Sequence, residues 1–243
     1  MESQNPALLI RGLRFRYGPG SSANNGAANS HPWVVDVRAL DLAPAEQLLL
    51  TGSSGCGKST LLSLIAGLLE PQGGAVVVAG QNVHALAGAR RDLFRGRHIG
   101  MIFQTFNLLH GFSALENVMA AFLFSGVPAR QHRSRAAALL RHLGIERMDA
   151  DPDSLSVGQQ QRVAVARALA CNPVLVLADE PTASLDPENS AAAIGLIQSA
   201  CREKGAALLC VSHDPSVASR FERVKAFGDL NPTDSFAISA TPR

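Results

Sequence analysis

At 243 residues, with 47% hydrophobic and 17% charged residues, the chain has the makeup of one large globular domain. Its net charge of +2 is too small to drive binding to nucleic acid or an anionic membrane, and four scattered cysteines (56, 171, 201, 210) show neither disulfide nor metal-ligand spacing. The segment Met1–Pro6 lacks the basic-then-apolar order of a signal peptide, and no apolar run approaches the ~20 residues that span a bilayer, so a soluble protein in a reducing compartment is expected.

Leu13, Phe15 and Tyr17 alternate with Arg14 and Arg16, the period of a half-buried strand. Gly18–His31, rich in Gly, Ser, Asn and Ala, reads as a flexible loop. Val34–Leu40 and Leu48–Leu50 predict strands, and a helix follows to about Leu69. Pro71-Gln72-Gly73-Gly74 turns into a strand over Ala75–Ala79, and Ile99–Phe103 predicts another. Thr105–Asp153 reads as helical. Ser113 and Glu116 have capping-box spacing, and Leu115, Val118, Met119 and Phe122 share a face. Pro128 and Gly144 bracket a second helix, and a third runs from Gln159 to about Cys171. Val174–Ala178 and Ala206–Val211 are continuous apolar runs, as in parallel strands buried on both faces. The tail from Gly228 is polar and reads as loosely ordered. These elements predict a mostly parallel α/β core with a helical insert between Phe103 and Pro173.

The most informative segment is Gly52-Ser53-Ser54-Gly55-Cys56-Gly57-Lys58-Ser59-Thr60, which follows the strand Leu48–Leu50 and opens a helix. Glycines at that spacing let backbone N–H groups wrap phosphates, Lys58 can reach the outer phosphates, and Ser59 can ligate Mg²⁺. Cys56 lies within the same cradle. Asp179-Glu180 ends the strand Val174–Ala178, where α/β folds bind ligands; Asp179 can hold Mg²⁺ through water and Glu180 can orient an attacking water. Ser156-Val157-Gly158-Gln159 has capping-box spacing, yet Gly158 in a first helical turn weakens the helix by about 1 kcal/mol relative to alanine. A bare backbone there suits close approach of a phosphate.

Leu155-Ser156-Val157-Gly158-Gln159 resembles the signature of the ATP-binding subunits of ABC transporters, with Val157 in place of the usual first glycine. The resemblance spans nearly the whole chain in family order. It implies a P-loop NTPase core at about 1–104 and 173–228, an N-terminal antiparallel β part, a helical insert at about 105–172 and a tail over 229–243. It also implies roles: Tyr17 stacks on adenine, Gly52–Thr60 binds phosphates, and Gln104 touches Mg²⁺ and the attacking water and leads to the membrane subunit. Ser184-Leu185-Asp186 is similar to the loop that crosses to a second subunit, while Asp186-Pro187 is equally a helix N-cap with proline at N1. His213 is similar to the histidine that bonds the γ-phosphate. Ala45-Glu46 stands where the family often has Gly-Glu, which suggests a slightly different turn.

The resemblance thus implies an Mg²⁺-dependent ATPase with Lys58, Gln104, Glu180 and His213 as catalytic groups. Two copies would pair head to tail, with Ser156, Val157, Gly158, Gln159 and Asp186 facing the other copy's nucleotide. The further partners implied are integral membrane permeases, on the inner face of the cell membrane. Phe103–Leu109, Ser113–Val118 and Leu177–Thr182 are most similar to lipoprotein-releasing and macrolide-type export ATPases. A polar amino-acid importer subunit and a regulatory nucleotide-binding module with little turnover are the alternatives.

Overall fold

The computed structural model describes residues 5–18, 33–183 and 185–231; the predicted loop beyond Gly18, and Ser184, lie outside the described residues. Two sheets form. The first is antiparallel and contains β1 (Leu8–Phe15), β2 (Val35–Leu42), β4 (Gly73–Val78) and β5 (Gln81–Asn82), in the order β2-β1-β4-β5. The second contains β3 (Gln47–Thr51), β6 (Ile99–Ile102), β7 (Leu175–Asp179), β8 (Ala207–Ser212) and β9 (Arg223–Ala226), in the order β6-β7-β8-β3-β9 with every pairing parallel.

Side-chain alternation in the parallel strands divides the core. Leu48, Leu50, Leu175, Leu177, Leu209 and Val211 pack with Leu61 and Leu62 of α1 (Lys58–Ile65) and with Ile10 and Leu13 of β1. Leu49, Val176, Ala178, Leu208 and Cys210 face the other way. There they meet Leu115 of α3 (Ala114–Ala120), Leu140 of α4 (Ala129–His142), Val163 of α5 (Val157–Leu169) and Ile194 of α6 (Pro187–Lys204). Both faces are covered, which is why these strands read as unbroken apolar runs.

Several boundaries differ from the sequence expectation. α1 stops at Ile65, because Gly67 adopts φ 68° and Leu68 donates back to the Ser63 carbonyl at 2.9 Å, a glycine-terminated helix end. α5 begins at Val157, two residues early, because Ser156 and Gln159 form a complete capping box. Tyr17 lies beyond the end of β1. α2 (Ala89–His98) was not expected: it carries four arginines and no fully buried residue, and Phe94 packs against the core from a half-buried position. Ala45 sits at φ 60°, a left-handed position that glycine would occupy without strain. Of the tail expected from Gly228, residues 228–231 are described and 232–243 lie outside the described residues. Phe227–Leu230 forms α7, with Phe227 fully buried. The Asn231 side chain accepts from Asp36 N–H at 2.6 Å and donates to the Val34 carbonyl at 3.0 Å. Among the described residues no helix is long and apolar enough to cross a membrane.

Candidate active site

Parallel strands place all their C-terminal ends on one edge, and the candidate residues follow those ends. Gly52–Thr60 follows β3, Gln104 follows β6, Asp179-Glu180 closes β7, and His213 follows β8. Tyr17, Ser54, Gly55, Gly57, Lys58, Ser59, Thr60, Gln104, Glu180 and His213 line one cleft of about 370 Å³.

The phosphate-loop residues take their positions from the loop's own backbone. Gly57 is the N-cap of α1 at φ 110°, and a Cβ there would lie 2.7 Å from the Val34 carbonyl oxygen, so no other residue fits. No side chain caps α1, which leaves its first N–H groups directed into the cleft. Lys58 is 4% exposed; its ammonium donates to the Gly52 and Ser53 carbonyls, each at 2.8 Å, and stands 3.6 Å from Glu180 Oε1. Two of its three donors are therefore tethered to carbonyls, and the third is turned toward Cys56 and Glu180. Cys56 Sγ lies 3.9 Å from Lys58 Nζ. The Tyr17 ring is exposed at the cleft, packs edge-on against Phe15 at 4.9 Å, and its hydroxyl is 3.1 Å from Thr60 Oγ1.

The acidic side of the cleft is built from β7 and β8. Ser59 Oγ donates to Asp179 Oδ1 at 2.9 Å. Burial pushes the Asp179 carboxyl above the usual carboxylate range, opposed by the Ser59 hydrogen bond; Glu180 adds to the rise and Lys58 opposes it. Glu180 adopts φ 46°, a strained backbone for a non-glycine residue, while its N–H extends the sheet ladder to the Val211 carbonyl at 3.0 Å. That turn aims Glu180 at His213, whose Nδ1 lies 2.6 Å from Oε2 and whose backbone N–H donates to the same oxygen at 3.3 Å. A carboxylate held on one side by an imidazole and faced on the other by an ammonium has the chemistry of a positioned base.

The remaining candidates gather elsewhere. Ser156, Val157 and Gly158 line a second cleft of about 470 Å³ with Asp186, and the two clefts share no lining residue. Asp186 caps α6 by accepting from Asn189 N–H at 3.0 Å. Val157 is half-exposed, and Gln159 is occupied in the capping box with Ser156. A Cβ built on Gly158 meets no atom within 4 Å among the described residues, so none of them demands a glycine there.

One supporting element escaped the sequence reading. A Cβ on Gly52 would lie 3.3 Å from the Phe227 Cβ and one on Gly57 3.3 Å from the tip of its ring, so this buried side chain underlies both ends of the phosphate loop. Phe227 and Leu230, apolar residues set in a polar tail, are the signal that could have found it.

Residues 35–183 match the model of the family described as ABC transporter. The chain belongs to the ABC transporter family. It is an ATP-binding, ATP-hydrolysing type of subunit. It is 46% identical over 198 residues to the lipoprotein-releasing system ATP-binding protein LolD of Maricaulis maris, covering 81% of this chain and 86% of that protein. It is 42% identical over 210 residues to the macrolide export ATP-binding/permease protein MacB of Syntrophobacter fumaroxidans. That match covers 84% of this chain and 29% of the much longer relative. Among solved structures, a dimeric post-hydrolysis state of the ATP-binding cassette MJ0796, bound to ADP and Pi, superposes with a TM-score of 0.76 at 31% identity. It covers 93% of this chain and 95% of that one.

Proposed function

We propose that this ABC subunit hydrolyses MgATP at two composite sites in a head-to-tail homodimer, and that dimer closure drives membrane permease subunits in export or lipoprotein release. The observation that carries the reading is the separation of the two clefts. One holds the phosphate loop and the acid pair. The other holds Ser156, Gly158 and Asp186, with open space where a Gly158 side chain would stand. Groups suited to a phosphate but distant from the phosphate loop find their target on a second copy. The dimeric cassette carrying ADP and Pi, and the lipoprotein-releasing and macrolide-export relatives, support this assembly and this role.

In this reading the loop N–H groups and Lys58 hold the β- and γ-phosphates, and Tyr17 stacks on the adenine. Ser59 and Asp179 present two hard oxygens 2.9 Å apart, one on a buried carboxyl whose ionisation a cation would favour; this donor set, with Gln104 close by, fits Mg²⁺. Among the described residues no three His, Cys, Asp or Glu side chains converge as a metal cage, so Ser59 and Asp179 would hold the ion only together with the nucleotide. When bound, the ion neutralises charge that builds on the phosphates. Glu180 orients the attacking water and accepts its proton, and His213 holds Glu180 in place while facing the γ-phosphate. The helical elements between Phe103 and Pro173 carry the movement to the permease, and the protein works at the inner face of the membrane.

The test is Gly158→Asp in the full-length protein. The variant is expected to bind a fluorescent ATP analogue as tightly as wild type while losing hydrolysis. Wild-type turnover in that variant would remove the second copy from the reaction.

A further inference from the structure

We propose that Arg167 is a positioning residue for hydrolysis: it holds the turn after Gln104 and ties that turn to the helix that begins at Ser156–Gln159. The proposal rests on the reading of Gln104 as a group that touches the attacking water.

Gln104 is followed by an unusual turn. Phe106 and Asn107 are consecutive non-glycine residues at φ 58° and 47°, both in the left-handed region that side chains disfavour. Local bonds define the turn: Phe106 N–H to the Phe103 carbonyl at 3.0 Å, Asn107 N–H to the Thr105 carbonyl at 2.6 Å, and Thr105 Oγ1 to Asn107 Oδ1 at 2.8 Å. The two carbonyls that this strained backbone turns outward are both taken by one side chain. Arg167 donates through Nη2 to the Phe106 oxygen at 2.6 Å and through Nη1 to the Asn107 oxygen at 2.5 Å. A guanidinium fork matches two adjacent acceptors in a way an ammonium cannot. Burial lowers the Arg167 pKa, so this cation is substantially withdrawn from water and depends on those two acceptors.

Arg167 stands ten residues beyond Val157 on α5, about 15 Å along one continuous helix. Between them Gln161, 3% exposed, donates to the Pro181 carbonyl at 3.3 Å, directly after Glu180. Near its end the helix is pressed against β6: the Ala168 carbonyl oxygen lies 2.3 Å from where a Gly100 side chain would begin. α5 therefore touches the two chain segments that carry Gln104 and Glu180 to the cleft. A displacement at its Ser156 end reaches the Phe106 and Asn107 carbonyls along one continuous helix and then through the Arg167 guanidinium.

The test is a double-mutant cycle on the full chain with MgATP: wild type, Gln104→Ala, Arg167→Met and the double variant, with thermal midpoints measured for each. Arg167→Met is expected to lower kcat about 10- to 100-fold, the usual cost of a misplaced group, with KM for ATP nearly unchanged. The double variant is expected to be no slower than Gln104→Ala alone, because Arg167 acts through Gln104. Arg167→Lys, which keeps the charge and can reach one carbonyl, should lie between, and it carries the same cycle if the methionine variant does not fold. Losses that multiply, an unchanged kcat in the Arg167 variants, or a change confined to KM would overturn the proposal alone. A wild-type kcat in Gln104→Ala would overturn the reading of Gln104 and the proposal with it.

Discussion

Glu180→Gln keeps the side chain's shape while removing its charge. In the structure Oε2 accepts from both Nδ1 and the backbone N–H of His213, and Oε1 faces Lys58 at 3.6 Å. The amide can present its oxygen to the two His213 donors, which leaves its NH₂ group toward the Lys58 ammonium. Orientation survives and basicity does not. Loss of a positioned base slows the chemical step by about 10²–10⁴-fold, which is about 3–5 kcal/mol of barrier. ATP affinity should hold, because the loop N–H groups, Lys58 and Ser59 are untouched and a negative charge has left the cleft. Phosphate release at saturating MgATP, paired with nucleotide titration, measures both quantities. Turnover within about threefold of wild type would show that Glu180 is not the base.

The other expectations come from what surrounds the cleft. Because the folded protein raises the Asp179 pKa, the native state holds this proton more tightly than the unfolded chain. Its contribution is therefore present at low pH and is lost as pH rises from the ordinary aspartate range through the raised value. The thermal midpoint of Asp179→Asn relative to wild type should climb across that window in metal-free buffer, whereas a pH-independent difference would contradict the assignment. Phe227→Ala, at a fully buried ring, should cost about 3–5 kcal/mol and weaken ATP binding, since the tip of the ring lies against Gly57; calorimetry with nucleotide titration tests it, and unchanged affinity in the folded variant would remove the ring's link to the loop. A thiol reagent should block ATP binding by modifying Cys56, with ATP protecting, and should leave Cys201, whose thiol burial pushes up to about 12, unmodified at neutral pH. Full modification of Cys56 with binding intact would refute that.

What the sequence displayed was set by how narrowly chemistry restricts residue choice. A phosphate loop tolerates few residue types at fixed spacing, so Gly52–Thr60 stood out before any fold was known. Parallel strands covered on both faces announce themselves as apolar runs, and Ser113/Glu116 and Ser156/Gln159 both close as capping boxes. Other features leave no such trace. α2 sets its few apolar residues among four arginines, which makes its signal weak. Phe227 sits in a polar tail because its partners, Gly52 and Gly57, lie some 170 residues earlier in the chain. Arg167 binds backbone carbonyls, which any residue type supplies, so its acceptors are invisible in the sequence. That Asp186 shares a cleft with Ser156 follows from the family resemblance alone, since each is locally an ordinary helix cap.

The central claim is that each catalytic pocket is completed by a second copy. Light scattering on Glu180→Gln, with and without MgATP, tests it most directly. The account predicts that the mass doubles with MgATP and stays monomeric when Gly158→Asp is added, although nucleotide still binds. A double variant that pairs as well as the single one, or a single variant that never pairs, would contradict it.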